Sequence, residues 1–158
     1  MTKFWEEYPD IPKYYRLSSM ISHEMLGENI YHFDQRFLDL FKTFYERGYL
    51  KNTQVIIMSD HGAHDFTVRT AMFPDDSRSL ENALPIMINL SPSNFDSEKL
   101  AYSRDNEQSF ITSHDVYATL KSLAFNYKEG SPYMKDYSFI HEDIPKGRDC
   151  DSVVCKEH

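Results

Sequence analysis

Residues Gln54-Val55-Ile56-Ile57-Met58-Ser59-Asp60-His61-Gly62 decide the fold class of this chain. Val55 to Met58 form a short apolar run rich in β-branched residues, which is typical of a strand buried on both faces in a parallel sheet. The run ends directly in polar residues that can bind ligands. Because ligand sites in open α/β sheets lie at the carboxyl ends of strands, this stretch predicts an α/β fold with a candidate site at Asp60 and His61.

The segments on either side of this strand fit the same fold class. Apolar residues recur at helical spacing from Glu28 to Arg47, and Gly48 is a favourable residue for ending a helix. A second strand is predicted over residues 84–90, and a second helix is predicted to begin near Ser113. The order helix, strand, loop, strand, helix suits an α/β layer but is too short for a complete doubly wound sheet. We therefore expect that part of the domain is missing from this sequence.

The remaining segments have no strong periodicity. Residues 1–20 are expected to form an irregular leader, in which Tyr14 to Leu17 could open a helix. Residues 95–105 are charged and expected to lie on the surface. The sequence thus predicts a leader at residues 1–20, an α/β part at residues 21–126 and a loop-rich tail at residues 127–158.

Composition narrows the class of protein. The chain has 158 residues, of which 41% are hydrophobic and 15% aromatic, so it can form a folded core and does not resemble a disordered chain. Its net charge of −8 argues against non-specific binding to nucleic acids or to anionic membranes. No apolar stretch approaches the roughly 18 residues of a transmembrane helix, and Met1 is not followed by a signal peptide.

Asp60, His61 and Gly62 are the best candidates for a functional site. A carboxylate oxygen and an imidazole nitrogen on one turn can bind the same divalent cation, such as zinc, and a carboxylate alone suits calcium. The alternative is an ordinary polar turn in which His61 only makes a hydrogen bond. His114 and Asp115 are expected to be a helix N-cap and its neighbour rather than ligands.

The chain contains two cysteines, Cys150 and Cys155, close together near its end. Such a pair forms a disulfide, contributes half of a metal site or remains as two free thiols. Two thiolates are too few for a structural zinc site, which takes four ligands. The sequence leaves the disulfide and the free thiols as alternatives.

Several segments together resemble the sulfatases and related enzymes of the alkaline-phosphatase superfamily. Residues 52–62 are similar to the segment of these enzymes with the motif NT-x-V-I-x-x-SDHG. Residues 80–88 are similar to their strand with the motif E-x-x-x-P followed by hydrophobic residues. Residues 113–120 resemble the start of a late helix. The tail from Phe139 to Cys150 resembles that of a sulfatase-like family of unknown function from nematodes and other animals. The resemblance implies a mixed sheet sandwiched by helices, of which residues 21–126 form the C-terminal half of the catalytic domain.

The resemblance also implies roles for individual residues. Asp60 and His61 match the pair that binds the divalent metal, which is calcium in sulfatases and zinc in phosphatase relatives. His23, His64 and Arg69 match positions that contact the substrate. That substrate is an anionic ester, a class that includes glycan esters. The family is extracellular, and an oxidising compartment agrees with a disulfide between the two cysteines.

The chain departs from the superfamily pattern in one important respect. The catalytic nucleophile and the first metal-binding acid precede the region that resembles this sequence, and Ser18 and Ser19 lack the context of a sulfatase nucleophile. We therefore assign no catalytic residue to this chain and expect the N-terminal half of the domain to be absent. The function implied is a metal-dependent hydrolase of sulfate or phosphate esters in the complete enzyme. The alternatives are an inactive binding module that keeps the fold and, more remotely, a small α/β protein whose similarity is only structural.

Overall fold

The computed structural model describes residues 1–21, 29–62, 85–125, 136–149 and 152–153. These residues combine helices with a small sheet, which confirms the predicted α/β class. The chain divides into two compact units, Met1–Asn94 and Phe95–His158. Among the described helices, none has both the length and the apolar character that crossing a membrane requires.

The first unit contains helices α1 (Thr2–Glu7) and α2 (Asn29–Glu46) in its described part. Helix α2 agrees with the helix that the apolar periodicity predicts. Residues 1–20 were expected to be irregular, but they contain helix α1. Tyr14 to Leu17, where a helix could begin, have no helical structure, so that prediction is wrong. The reason is that α1 depends on packing against a distant part of the chain, which a local pattern does not reveal.

An aromatic cluster joins the two helices of the first unit. Trp5 packs edge to face on Phe44, with ring centroids 5.2 Å apart, and Phe44 contacts Tyr49 at 5.4 Å. Phe44 is almost fully buried in α2. An ion pair between Glu6 and Arg47 bridges the same two segments at the surface. These contacts fix α1 against the C-terminal part of α2.

Gly48 directs the chain from α2 into the sheet. Its φ of 71° lies in the left-handed region, where glycine has no steric penalty, and this confirms its predicted role in ending the helix. A short 3₁₀ helix, Tyr49–Lys51, follows. The Thr53 hydroxyl donates a 2.6 Å hydrogen bond to the Tyr49 carbonyl and closes this turn. The next residues enter the sheet.

The sheet of the described residues contains β1 (Val55–Met58) and β2 (Met87–Leu90), paired antiparallel. Val55 lies opposite Leu90, and Met58 lies opposite Met87. The prediction of both strands is confirmed, although β2 begins later than expected and residue 84 lies outside the described residues. The prediction that β1 has the environment of a parallel, doubly buried strand is wrong for this pair, because its residues are only half-buried or exposed. A short apolar run specifies a strand but not the direction of its partner.

The second unit contains helices α3 (Ser97–Asp105) and α4 (Ser113–Phe125) in its described part. Helix α4 confirms the helix predicted near Ser113. Residues 95–105 lie at the surface, as expected, and most of them form helix α3, which the sequence did not predict. Its start is fixed by Asp96, whose side chain accepts hydrogen bonds from the backbone N–H groups of Glu98 and Lys99.

The tail residues 136–149 have no regular secondary structure, as predicted, but they form much of the core of the second unit. Phe139, Ile140 and Ile144 are buried, as are Val116 of α4 and Val153. The irregular segment is therefore buried as deeply as α4. Sequence patterns that identify a loop do not reveal whether its apolar side chains are buried.

Candidate functional site

The backbone is fixed directly before the predicted site. The N–H of Ser59 donates to the carbonyl of Ile86 at 3.0 Å, and the Ser59 hydroxyl accepts from the N–H of Ile86, also at 3.0 Å. These reciprocal hydrogen bonds extend the pairing of β1 and β2 by one step. Asp60 and His61 therefore leave the sheet from an anchored residue.

Asp60 and His61 lie side by side in the turn after β1. The N–H of His61 donates to Asp60 Oδ1 at 3.1 Å, and His61 Nε2 lies 3.8 Å from Asp60 Oδ2. The side chain of Asp60 is 90% exposed and that of His61 is 40% exposed. The structure thus brings the two predicted metal ligands together at an accessible surface.

The tautomer of His61 follows from its second contact. Nδ1 lies 2.6 Å from the carbonyl oxygen of Gly62, and a carbonyl can only accept a hydrogen bond. Nδ1 therefore carries the proton, and the unprotonated nitrogen of the neutral ring is Nε2, on the side of the Asp60 carboxylate. A backbone carbonyl that orients the other ring nitrogen is the usual second contact of a metal-binding histidine.

The two side chains fit part of a metal site. With zinc–ligand bonds of about 2.0–2.2 Å, two ligands of a tetrahedral ion are about 3.4 Å apart, which is close to the observed 3.8 Å between Nε2 and Oδ2. No group of three or more His, Cys, Asp or Glu residues with the geometry of a metal site occurs in the described ranges. The turn after β1 thus supplies two ligands, a carboxylate and an imidazole, that suit a divalent cation.

The other residues predicted for the site cannot be placed beside this turn. His23, His64, Arg69, Cys150 and Cys155 all lie outside the described residues. Their proposed contacts with substrate, and the disulfide, stay predictions. His114 is exposed at the start of α4.

A buried ion pair between Arg148 and Asp115 lies inside the second unit. Arg148 Nη1 donates to Asp115 Oδ2 at 2.6 Å, and the side chains are 4% and 0% exposed, respectively. The backbone N–H and the hydroxyl of Thr112 also donate to Oδ2, at 2.7 and 2.8 Å, and the N–H of Tyr137 donates to Oδ1 at 2.8 Å. The carboxylate of Asp115 is therefore saturated with donors inside the protein.

These contacts determine the ionisation of Asp115. Burial raises the pKa of this carboxyl, but the hydrogen bonds from Arg148, Thr112 and Tyr137 more than compensate, so the pKa lies below its ordinary value. Asp115 is thus held as a carboxylate and cannot act as a proton donor near neutral pH. Its arrangement is that of a buried structural ion pair, not of an acid–base catalyst.

Sequence reasoning underestimated Asp115 and gave Arg148 no role beyond its place in the family tail. The local signal is the spacing Thr112-x-x-Asp115, since the N–H of Asp115 also donates to the Thr112 hydroxyl at 3.4 Å and completes a reciprocal capping box. No comparable signal identifies Arg148, because its partner is 33 residues away in the sequence.

The comparisons with known proteins identify a family. Comparison with curated proteins and with solved structures found no match. The sequence model of a family described as a protein of unknown function (DUF229) matches residues 1–158, so that this chain belongs to the DUF229 family.

Proposed function

We propose that this chain forms part of a metal-dependent hydrolase of sulfate or phosphate esters, within the sulfatase-like branch of the alkaline-phosphatase superfamily. The observation that carries the proposal is the turn after β1, where the carboxylate of Asp60 and Nε2 of His61 lie 3.8 Å apart. The hydrogen bond from His61 Nδ1 to Gly62 supports it, because this bond leaves Nε2 as the nitrogen that can bind a cation.

Each residue has a defined part in this proposal. Asp60 and His61 hold the divalent metal, and Ser59 anchors the turn to β2 through Ile86. The imidazole favours zinc, whereas a carboxylate-dominated set of ligands would favour calcium. A divalent cation supplies charge neutralisation for an ester oxyanion and lowers the pKa of an attacking group.

The substrate and the location complete the proposal. His23, His64 and Arg69 contact the anionic ester, which includes sulfate or phosphate esters on glycans. Cys150 and Cys155 form a disulfide in an extracellular or secretory compartment. No residue of this chain is assigned as the nucleophile, so turnover is expected only from the complete enzyme.

Metal binding to the full chain tests the site. We expect Asp60→Asn and His61→Ala each to weaken zinc binding in titration calorimetry by at least about tenfold, the lower end of what losing even an outer-shell partner costs. His32→Ala is the matched control, because His32 is an exposed histidine on α2. Equal zinc affinity in Asp60→Asn and in the control would contradict the assignment of this turn as the metal site.

Turnover distinguishes a hydrolase from an inactive binding module. The longest natural form of the protein should hydrolyse an aryl sulfate or an aryl phosphate, and Asp60→Asn should abolish this activity. Zinc binding that depends on Asp60 without turnover of either ester would favour the binding module. The ratio of sulfate to phosphate turnover identifies the ester class.

A further inference from the structure

Residues 136–149, here called the strap, are held mainly by side chains of α4 and by Asn106, in the way that a protein holds a bound peptide. Among the described residues, every hydrogen bond between the strap and residues 97–125 has a side chain on at least one end. The backbone–backbone hydrogen bonds of the strap are local turns within it, such as that from the N–H of His141 to Ser138. The strap is therefore not part of a sheet or a helix that includes its partners.

Polar side chains of the helices contact the backbone of the strap. The N–H groups of Tyr137 and Phe139 donate to Asp115 Oδ1 and to the Thr119 hydroxyl, at 2.8 and 3.1 Å. Asp115 and Thr119 are four residues apart on α4, so they lie on the same face of the helix. Both are completely buried, and their polar atoms bond to the strap, to the helix itself and, for Asp115, to Thr112.

Asn106, directly after α3, contacts the next part of the strap. Its amide nitrogen donates to the carbonyls of Phe139 and Glu142 at 3.1 and 2.9 Å, and its amide oxygen accepts from the N–H of Ile144 at 2.9 Å. Asn106 is only 2% exposed. One buried amide side chain thus satisfies three backbone groups of the strap, using both its donors and its acceptor.

Side chains of the strap supply the specificity. Phe139, Ile140 and Ile144 are almost completely buried, and Arg148 ends the strap by donating to Asp115 and to the carbonyl of Phe110. The guanidinium also lies over the ring of Tyr137, 5.1 Å from its centroid. The bound pattern is therefore two adjacent apolar residues, a third apolar residue before proline, and an arginine four residues after that third one.

We propose that α4, together with Asn106 and the carbonyl of Phe110, forms a peptide-binding site, occupied here by the strap of the same chain. We propose further that the strap dissociates from this site as one unit and can be replaced by the same segment supplied in trans. The ligand class is a peptide that folds into local turns and carries the apolar–apolar, apolar–proline and arginine pattern of residues 139–148. The Asp115–Arg148 ion pair locks it. Since the partners of the strap backbone are side chains, its release leaves the hydrogen bonds within α3 and α4 intact.

Hydrogen exchange on the unmodified full chain tests whether the strap opens by itself. The amides of Tyr137, Phe139 and Ile144 should share one opening reaction, with protection at least about tenfold lower than that of the amides in the central turns of α4. Equal protection of the strap and α4 amides would mean that they open only together, and it would overturn the proposal.

Binding of a labelled peptide tests recognition in trans. A fluorescent peptide of residues 136–149 should bind the full-length Arg148→Ala variant, whose own strap is weakened, at least about tenfold more tightly than it binds the wild type. In the wild type the tethered strap competes at an effective concentration on the order of millimolar. The residues that contact the strap are unchanged in this variant.

Two controls define specificity. A peptide that carries Arg148→Ala should bind the same variant at least about tenfold more weakly, and the full-length Asp115→Asn, Arg148→Ala double variant should lose the preference between the two peptides. Equal binding of both peptides to the Arg148→Ala chain, or no gain over the wild type, would overturn recognition in trans. The exchange measurement still decides the proposal if a variant fails to fold.

Discussion

Arg148 donates a 2.6 Å hydrogen bond to Asp115, a residue 33 positions earlier in the chain, and both side chains are almost completely buried. A buried ion pair costs desolvation of both charges, and it persists only where further hydrogen bonds satisfy the remaining atoms. Thr112, Tyr137 and the carbonyl of Phe110 supply those bonds. The pair therefore anchors the tail of the second unit to the start of α4.

Removing one member of this pair should strongly destabilise the second unit. We expect Asp115→Asn and Arg148→Met each to lower the free energy of unfolding by about 3–5 kcal/mol, because each leaves the other partner buried and uncompensated. The double variant should lose much less than the sum of the two. Denaturant unfolding, monitored on α4 by hydrogen exchange, gives the coupling.

His114→Ala is the control for that cycle. His114 precedes Asp115 in the same turn but is exposed, so its removal should change the free energy of unfolding by no more than about 0.5 kcal/mol. Strictly additive losses in Asp115→Asn and Arg148→Met would show that the two side chains do not stabilise each other.

The same carboxylate should make stability depend on pH. The pKa of Asp115 in the folded protein is below its ordinary value of 3.8. The stabilisation is therefore complete above about pH 4 and is lost as the pH falls through the lowered folded-state pKa. The difference in free energy of unfolding between wild type and Asp115→Asn should shrink over this acid range.

Urea unfolding of both proteins between neutral pH and about pH 2 checks this sign. The control His114→Ala retains Asp115. Its free energy of unfolding should therefore differ from that of Asp115→Asn in the same pH-dependent way as that of the wild type. A difference that grew as the pH fell would mean that the folded protein raises the pKa of Asp115, contrary to its contacts.

Phe44 should be the residue on which the first unit most depends. It is 5% exposed and packs between Trp5 and Tyr49, so Phe44→Ala should cost about 3–5 kcal/mol of unfolding free energy. Trp5 is the only tryptophan of the chain, and its fluorescence reports this unit directly. Tyr45→Ala is the control, since Tyr45 is 77% exposed; a loss as large as that of Phe44→Ala would contradict the packing.

Gly48 should tolerate side chains only at a conformational cost. Its φ of 71° disfavours L residues, although a Cβ there would meet only the Lys51 side chain at 3.6 Å, an ordinary contact. Gly48→Ala should therefore lower the free energy of unfolding by about 1–2 kcal/mol, and Gly48→Asn by less, since asparagine visits this region more readily. Thermal unfolding that ranks Asn below Ala would show that space, not backbone conformation, limits this position.

Much of the local structure could be predicted from the sequence. Apolar periodicity identified α2, and the β-branched run at Val55 identified β1, because both depend on neighbours a few residues away. Asp60 and His61 were placed at the end of β1 by the same logic, and the structure has them adjacent there. Helix α3 was missed, although Asp96 is an N-cap residue that a search for helix starts could have found.

The sequence by itself determined the α/β class, the helix that ends at Gly48, the strand before Asp60 and the pairing of two potential metal ligands in one turn. Only the tertiary structure decided that β1 and β2 run antiparallel, that Trp5 holds α1 on Phe44, and that the irregular tail is buried. The physical reason is distance along the chain. Local conformational preferences act between near neighbours, whereas the partner of a strand, an aromatic ring or a buried charge is selected only when folding brings remote residues together.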